Sequence, residues 1–249
     1  MDALTILVTI VFTIFSYGAA GIFIYGFMSK IWQYFNTPSP LKIPTTPAPT
    51  TGIGAAFRVA GEILFFSSLF KGNKWTWIGG YAFHGAFLVV ILRHLRYFLN
   101  PIPEPIALIQ PIGIYAGLVL PATAAYLFIR RLIVDRTRYI SSIVEDYLLL
   151  ILIISIALSG LLLKFVTRPD LINIKAYMLS LMLFRPTTIP LDPVFLIHLS
   201  LVLILLIYFP YSKLMHAGGI FFSPSRNQAD NPREKRLVAP WAAEIKEKQ

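Results

Sequence analysis

Apolar, uncharged runs long enough to cross a bilayer recur five times along this chain, separated by polar, basic or proline-rich stretches. Residues 3–28 carry no charged side chain, and a hydrocarbon core needs about 20 apolar residues, so a first transmembrane helix is predicted there. The run is long for a signal-peptide core, and no Lys or Arg precedes it. Residues 75–92 predict a second span, with Trp75 and Trp77 at its start, where an aromatic belt sits. The third runs from about Ile106 to Ile129 and contains Pro111 and Pro121, each of which bends a helix or frees a carbonyl. The fourth covers roughly Tyr147 to Leu163, and the fifth follows Pro193.

The intervening segments read differently. Asn36 to Thr51 is rich in Pro and Thr and predicts an extended connection. In residues 53–70 the apolar cluster is interrupted by Arg58 and Glu62 at i,i+4, which favours an interfacial or peripheral helix over a sixth span. LINIKAYMLSLMLF, between Lys164 and Asp192, predicts a surface helix at the membrane interface. RRLIVDRTR, residues 130–138, reads as a short basic loop. The fold class expected is an all-α membrane protein, a five-helix transmembrane bundle over residues 1–218. A polar docking tail without a core of its own occupies residues 219–249.

Composition supports the membrane reading: 56% of the 249 residues are hydrophobic and 14% charged, against about 25% charged in a soluble domain. The net charge of +10 does not point to nucleic acid, because in a membrane protein the positions of Lys and Arg matter more than their sum. With the N-terminus outside, sixteen of the 22 basic residues fall on one face. That asymmetry predicts an N-out, C-in topology in the cytoplasmic membrane. With no cysteine in the chain, disulfides, thiolate-bound zinc and iron–sulfur ligation within it are excluded.

The candidate chemistry lies in four histidines, His84 and His94 on the second span and His198 and His216 on the fifth. Ionisable residues inside membranes are costly and default to function. His84 and His94 are about 15 Å apart along a helix, on one broad side; His198 and His216 are five turns apart, about 27 Å in an unbroken helix. Spans two and five are antiparallel in this topology, so the pairs expected are His84 with His216 toward the inside and His94 with His198 toward the outside. Each pair is suited to the two axial positions of a haem iron, which leaves no open site for oxygen and fits electron transfer. Two haem b sites between helices 2 and 5 are therefore expected. The length mismatch requires Pro210 to kink or end the helix before His216.

Gly79, Gly80, Gly85, Gly218 and Gly219 flank the ligands and would let a flat macrocycle approach the backbone, although small residues more commonly serve helix packing. Arg93, Arg96, Arg130, Arg131 and Lys213 lie where propionates would emerge, with topology-setting cations as the default reading. Zinc is the rival metal, but the spacing sends two histidines to each face and no carboxylate joins them inside a span. A proton-pumping or channel reading would call for Asp or Glu within the spans.

The histidine spacings, ten on the second helix and eighteen on the fifth, resemble the gamma subunit of respiratory nitrate reductase, a dihaem cytochrome b, most clearly over residues 55–216. In that family the first histidine pairs with the last and the inner two with each other. FPYSKLMHAGGIFFSPSRNQADNPREKRLVAPW, residues 209–241, resembles the C-terminal signature of the DsrM-type cytochrome b subunits of the sulfite-reduction-associated DsrMKJOP complex. The resemblance implies two haem b, menaquinone or menaquinol as substrate, further membrane-complex subunits, and a cytoplasmic DsrK-like iron–sulfur partner similar to heterodisulfide reductase. It implies an electron-transfer subunit of a menaquinol oxidoreductase in dissimilatory sulfur metabolism. The quinone region expected is the outer end of helices two, three and five, with Arg93, Arg96, Tyr97 and Glu104 as candidates. The lysine that the nitrate reductase family uses near quinone has no counterpart placed in this sequence. The alternative from another class is a redox-inert membrane anchor whose basic tail docks a soluble partner.

Overall fold

Capping residues set most helix starts in the computed structural model, which describes residues 2–39, 41–134 and 144–232. Helix α1 (Ala3–Asn36) begins at Asp2, whose carboxylate accepts from the Thr5 amide at 3.0 Å. At 34 residues it is about 51 Å long, so it continues two turns past the predicted span and carries Trp32 and Phe35 beyond it. The described residues of the Pro- and Thr-rich segment beyond α1 form neither helix nor strand up to Thr51, whose hydroxyl caps α2 (Gly52–Phe65). Phe66 then adopts left-handed backbone (φ 50°, ψ 47°) and separates α2 from α3 (Ser67–Gly72). Both helices are too short to cross a bilayer. Arg58 and Glu62, which interrupt the apolar cluster, each serve a junction: Arg58 donates to the Thr45 carbonyl at 2.7 Å, and Glu62 accepts from the Ser68 amide at 3.1 Å in the first turn of α3.

Helix α4 (Lys74–His94), capped by Asn73, carries the first two histidines. Helix α5 (Glu104–Ile133) runs continuously through Pro111 and Pro121. Helix α6 (Val144–Leu162) ends in a π-helical turn, Leu163–Thr167. Helix α7 (Leu171–Met182) starts at Asp170, and α8 (Pro193–Tyr208) at Asp192 with proline in its first position. Beyond α8 come three 3₁₀ turns, Phe209–Tyr211, Lys213–Met215 and Ile220–Phe222, and the short helices α9 (His216–Gly219) and α10 (Pro224–Asn227).

All regular structure among the described residues is helical. Five helices are long and apolar enough to cross a membrane: α1, α4 with the turn after it, α5, α6 with its π turn, and α8 with the turn after it. Their outward faces are apolar as well, as at Leu7, Ile14, Leu108, Ile112 and Leu148. A bilayer accommodates such faces as solvent, and the chain is a multi-pass membrane protein.

Two apolar clusters hold the bundle. Ala19, Ile174, Tyr177, Leu181, Phe195 and Leu199 join α1, α7 and α8. Phe83, Ala86, Ala116, Leu120, Leu149 and Ile153 join α4, α5 and α6. Helix α7 buries Ile174, Tyr177 and Leu181 against α1 and α8, with Tyr177 fully enclosed, and leaves Leu171, Ile172 and Met182 exposed. Packing runs as an arc, α4 on α5, α5 on α6, α6 on α8 and α8 on α1. Helices α4 and α8 make no comparable contact; they face each other across the opening of the arc.

The expected division after residue 218 falls inside α9. Residues 223–230 fold back on the proline-rich segment: the Thr45 amide donates to the Ser225 carbonyl at 3.0 Å and the Asp230 amide to the Pro49 carbonyl at 2.7 Å. Of the expected basic loop, residues 130–133 instead complete α5, because the helix continues through both arginines; residues 135–138 lie outside the described residues, as does the rest of the expected docking tail, residues 233–249.

Candidate functional site

The opening between α4 and α8 is where the four histidines meet. His84 and His216 lie with ring centroids 5.9 Å apart and planes at 81°, while His94 and His198 are 6.3 Å apart with planes at 21°. The break after α8 makes the first pair: the helix ends at Tyr208, Pro210 is buried in a 3₁₀ turn, and Ser212 is extended (φ −114°, ψ 173°). That detour removes the mismatch between an eighteen-residue and a ten-residue helical separation. It also brings Gly26 of α1 against Pro210, where a Cβ would sit 2.7 Å from the proline ring.

Each ring has one nitrogen already engaged. Nδ1–H of His84 donates to the Gly80 carbonyl at 2.7 Å, that of His94 to Val90 at 2.7 Å, and that of His216 to Lys213 at 2.6 Å. A carbonyl only accepts, so these rings hold their proton on Nδ1. His198 Nδ1 lies 2.9 Å from the Ser159 hydroxyl, which also lies 2.9 Å from the Ile156 carbonyl; with the hydroxyl proton on that carbonyl, Ser159 accepts from the ring as the carbonyls do for the other three. In all four, Nε2 keeps its lone pair, and a second-shell acceptor on the other nitrogen is the usual arrangement of a metal-binding imidazole.

The spacing fits a metal between each pair. With a metal–imidazole bond of about 2.0 Å and a ring nitrogen about 1.1 Å from its centroid, two opposed imidazoles on one ion would lie about 6.2 Å apart. The two observed separations, 6.3 and 5.9 Å, match that value closely. Among the described residues, no three His, Cys, Asp or Glu side chains gather as a metal-binding group. The histidines thus offer two donors per site, the donor set of a haem iron whose four equatorial positions are filled by the macrocycle.

Aromatic walls flank the rings. Phe66 and Phe83 stand edge-on to His84 at 5.0 and 5.2 Å, so the left-handed residue between α2 and α3 closes one side of that site. Tyr97 lies 6.1 Å from His94. Gly160 packs on His198, where a Cβ would meet Cε1 at 3.3 Å. Of the glycines expected to serve a macrocycle, Gly79 is packed by the Tyr126 ring and Gly218 by Ile31, each 2.5 Å from an ideal Cβ, so both serve helix contacts.

The basic residues are distributed among structural partners. Arg130 donates to the Thr76 hydroxyl at 3.0 Å and covers the Tyr126 ring. Arg131 and Lys213 converge on Asp146 at 2.7 and 2.8 Å, and Asp146 is only 3% exposed. Arg93 donates to the Gln110 carbonyl, and Arg96 to the Gln110 side chain at 3.2 Å while lying over Tyr97. Arg96 and Tyr97 border a cleft of about 350 Å³ with Asn100, Ile102, Ile172 and Lys175. Neither Arg93 nor Glu104, which is exposed at the start of α5, lines it. Lys175, whose ammonium lies 3.5 Å from Asn100 Oδ1, was not singled out by sequence because α7 read as an isolated surface helix. Ser159 and Gly160 carried only a weak signal, two small residues in an aliphatic run.

Residues 62–227 match the family model described as nitrate reductase gamma subunit. The chain is 34% identical to the Hdr-like menaquinol oxidoreductase cytochrome b-like subunit of Archaeoglobus fulgidus, over 90% of this chain and 81% of that protein. It is 31% identical to the protein of the same description from Archaeoglobus profundus, over 93% and 82% of the two chains. These relatives are consistent with the DsrM-type resemblance of the C-terminal segment. The chain belongs to the nitrate reductase gamma subunit family.

Proposed function

We propose that this chain is the quinone-interacting, dihaem b membrane subunit of a menaquinol oxidoreductase. It passes electrons between menaquinol or menaquinone and a cytoplasmic iron–sulfur partner of the heterodisulfide reductase type, in dissimilatory sulfur metabolism. The observation that carries the reading is the arrangement of four imidazoles as two pairs, with ring centroids 5.9 and 6.3 Å apart and Nδ1 of each ring engaged. His84 and His216 would hold one haem b and His94 and His198 the other. Bound between two imidazoles, haem b supplies a one-electron carrier with no open position for oxygen.

The chain's own residues do the rest. The backbone and Ser159 acceptors fix each ring's tautomer and direction, and Phe66 and Phe83 exclude water from the His84 side. The basic-residue asymmetry supports an N-out, C-in orientation, which puts His94 and His198 outside and His216 at the cytoplasmic face beside the partner. The cleft next to His94 is the proposed quinone region: Arg96 and Lys175 are donors for a quinone oxygen, and Ile102 and Ile172 supply apolar walls. Arg93 and Glu104 act there only indirectly, through the ends of α4 and α5. The relatives' description as menaquinol oxidoreductase subunits supports this substrate class.

The test is optical. The purified chain should show b-type absorption bands that a menaquinol analogue reduces; a folded chain without such bands would leave the redox-inert anchor as the better reading.

A further inference from the structure

The four histidines are not held alike. His84, His94 and His216 donate to carbonyls three or four residues away in their own segments. His198 Nδ1 instead lies 2.9 Å from the Ser159 hydroxyl across the bundle, thirty-nine residues away on α6, where the Ile156 carbonyl also accepts from the ring. Ser159 is buried, and its hydroxyl lies 2.9 Å from the Ile156 carbonyl; with its proton on that carbonyl, it turns a lone pair toward His198. The next residue, Gly160, touches the same ring, with an ideal Cβ 3.3 Å from Cε1 and 3.8 Å from Nδ1. A helix without any histidine therefore contacts His198 twice, once by hydrogen bond and once through a surface kept open by the missing side chain.

We infer that Ser159 and Gly160 form the positioning element of His198 and set the redox potential of the site it shares with His94, an inference that rests on the dihaem reading above. An acceptor on Nδ1–H makes the ring more electron-rich at Nε2 and favours the oxidised metal. A hydroxyl oxygen does this across α6 and α8, whereas the other three rings use carbonyls of their own segments. Gly160 leaves the ring in contact distance of α6, so the hydrogen bond and the ring direction are fixed together. Both residues act through His198 and are positioning residues.

The experiment is an optical redox titration of the purified full chain as wild type, S159A and S159T, with the His198 component identified as the one that H198A removes. In S159A that component should move to higher potential while the other stays in place, and S159T should restore it. Loss of the His198-held haem alone, with the other component unmoved, supports the inference equally. Unchanged potentials in a dihaem S159A protein, a fall in potential, an equal shift of both components, or loss of both haems would overturn it. G160A serves as a second variant: the electron paramagnetic resonance signal of the same component alone should change, and an unaltered signal counts against the element. A wild-type chain devoid of haem would remove the reading beneath this inference, whereas an unmoved S159A in a dihaem chain removes the inference alone.

Discussion

His94 and His198 face each other with ring planes 21° apart, whereas the planes of His84 and His216 cross at 81°. Ring orientation decides how two axial imidazoles split the iron orbitals: parallel rings act on the same orbital and crossed rings on both. Two unlike low-spin ferric signals are therefore expected, a rhombic one from the His94/His198 site and a strongly anisotropic, large-g one from the His84/His216 site. Electron paramagnetic resonance of the oxidised chain checks this, and two identical rhombic signals would contradict it.

Asp146 links the bundle to the His216 segment. Its carboxylate holds both Arg131 and Lys213, and the Lys213 carbonyl receives the His216 proton. Breaking a fully buried pair costs about 3–5 kcal/mol. Lys213 is half exposed, so D146N is expected to cost less, about 2 kcal/mol. Thermal unfolding should show the loss, and haem retention should fall at the His84/His216 site first.

Gly26 faces Pro210 so closely that a methyl would overlap the proline ring. G26A should push the turn that carries the chain toward His216, at about 1–3 kcal/mol, the usual range for overpacking. The expected outcome is lower thermal stability with weakened occupancy of the His84/His216 site and an intact His94/His198 site, read by haem content per chain.

Lys175 lines the cleft beside Tyr97 and Arg96. A hydrogen bond to a charged group contributes about 1.5–3 kcal/mol, so K175A should slow reduction by a menaquinol analogue about tenfold or more. Haem content should stay at the wild-type value, and stopped-flow absorbance separates the two effects. An unchanged rate would place quinone elsewhere.

The spans and the histidine pairs were legible because they depend on regular geometry: uncharged run lengths, helical rise, and antiparallel order. Proline at 210 in an apolar run was enough to anticipate that the helix stops before His216, and it does stop at Tyr208. What was not legible depends on packing between distant segments. Tyr177 looks like an interfacial residue in its own helix and is buried only because α1 and α8 close over it. Phe66 reaches His84 through a single left-handed residue, and no periodicity encodes that. Ser159 reads as an ordinary small residue until α6 is set against α8, and Lys175 as a surface cation until α7 is set against the end of α4.

Haem stoichiometry in three proteins tests the central claim most directly. Purified wild type should contain two haem b per chain, H84A one and H198A one, with the surviving component differing between the two variants in its potential and magnetic signal. A folded wild type with no haem, or an H198A chain that keeps its fold and loses both haems, would contradict two independent sites built by His84 with His216 and His94 with His198.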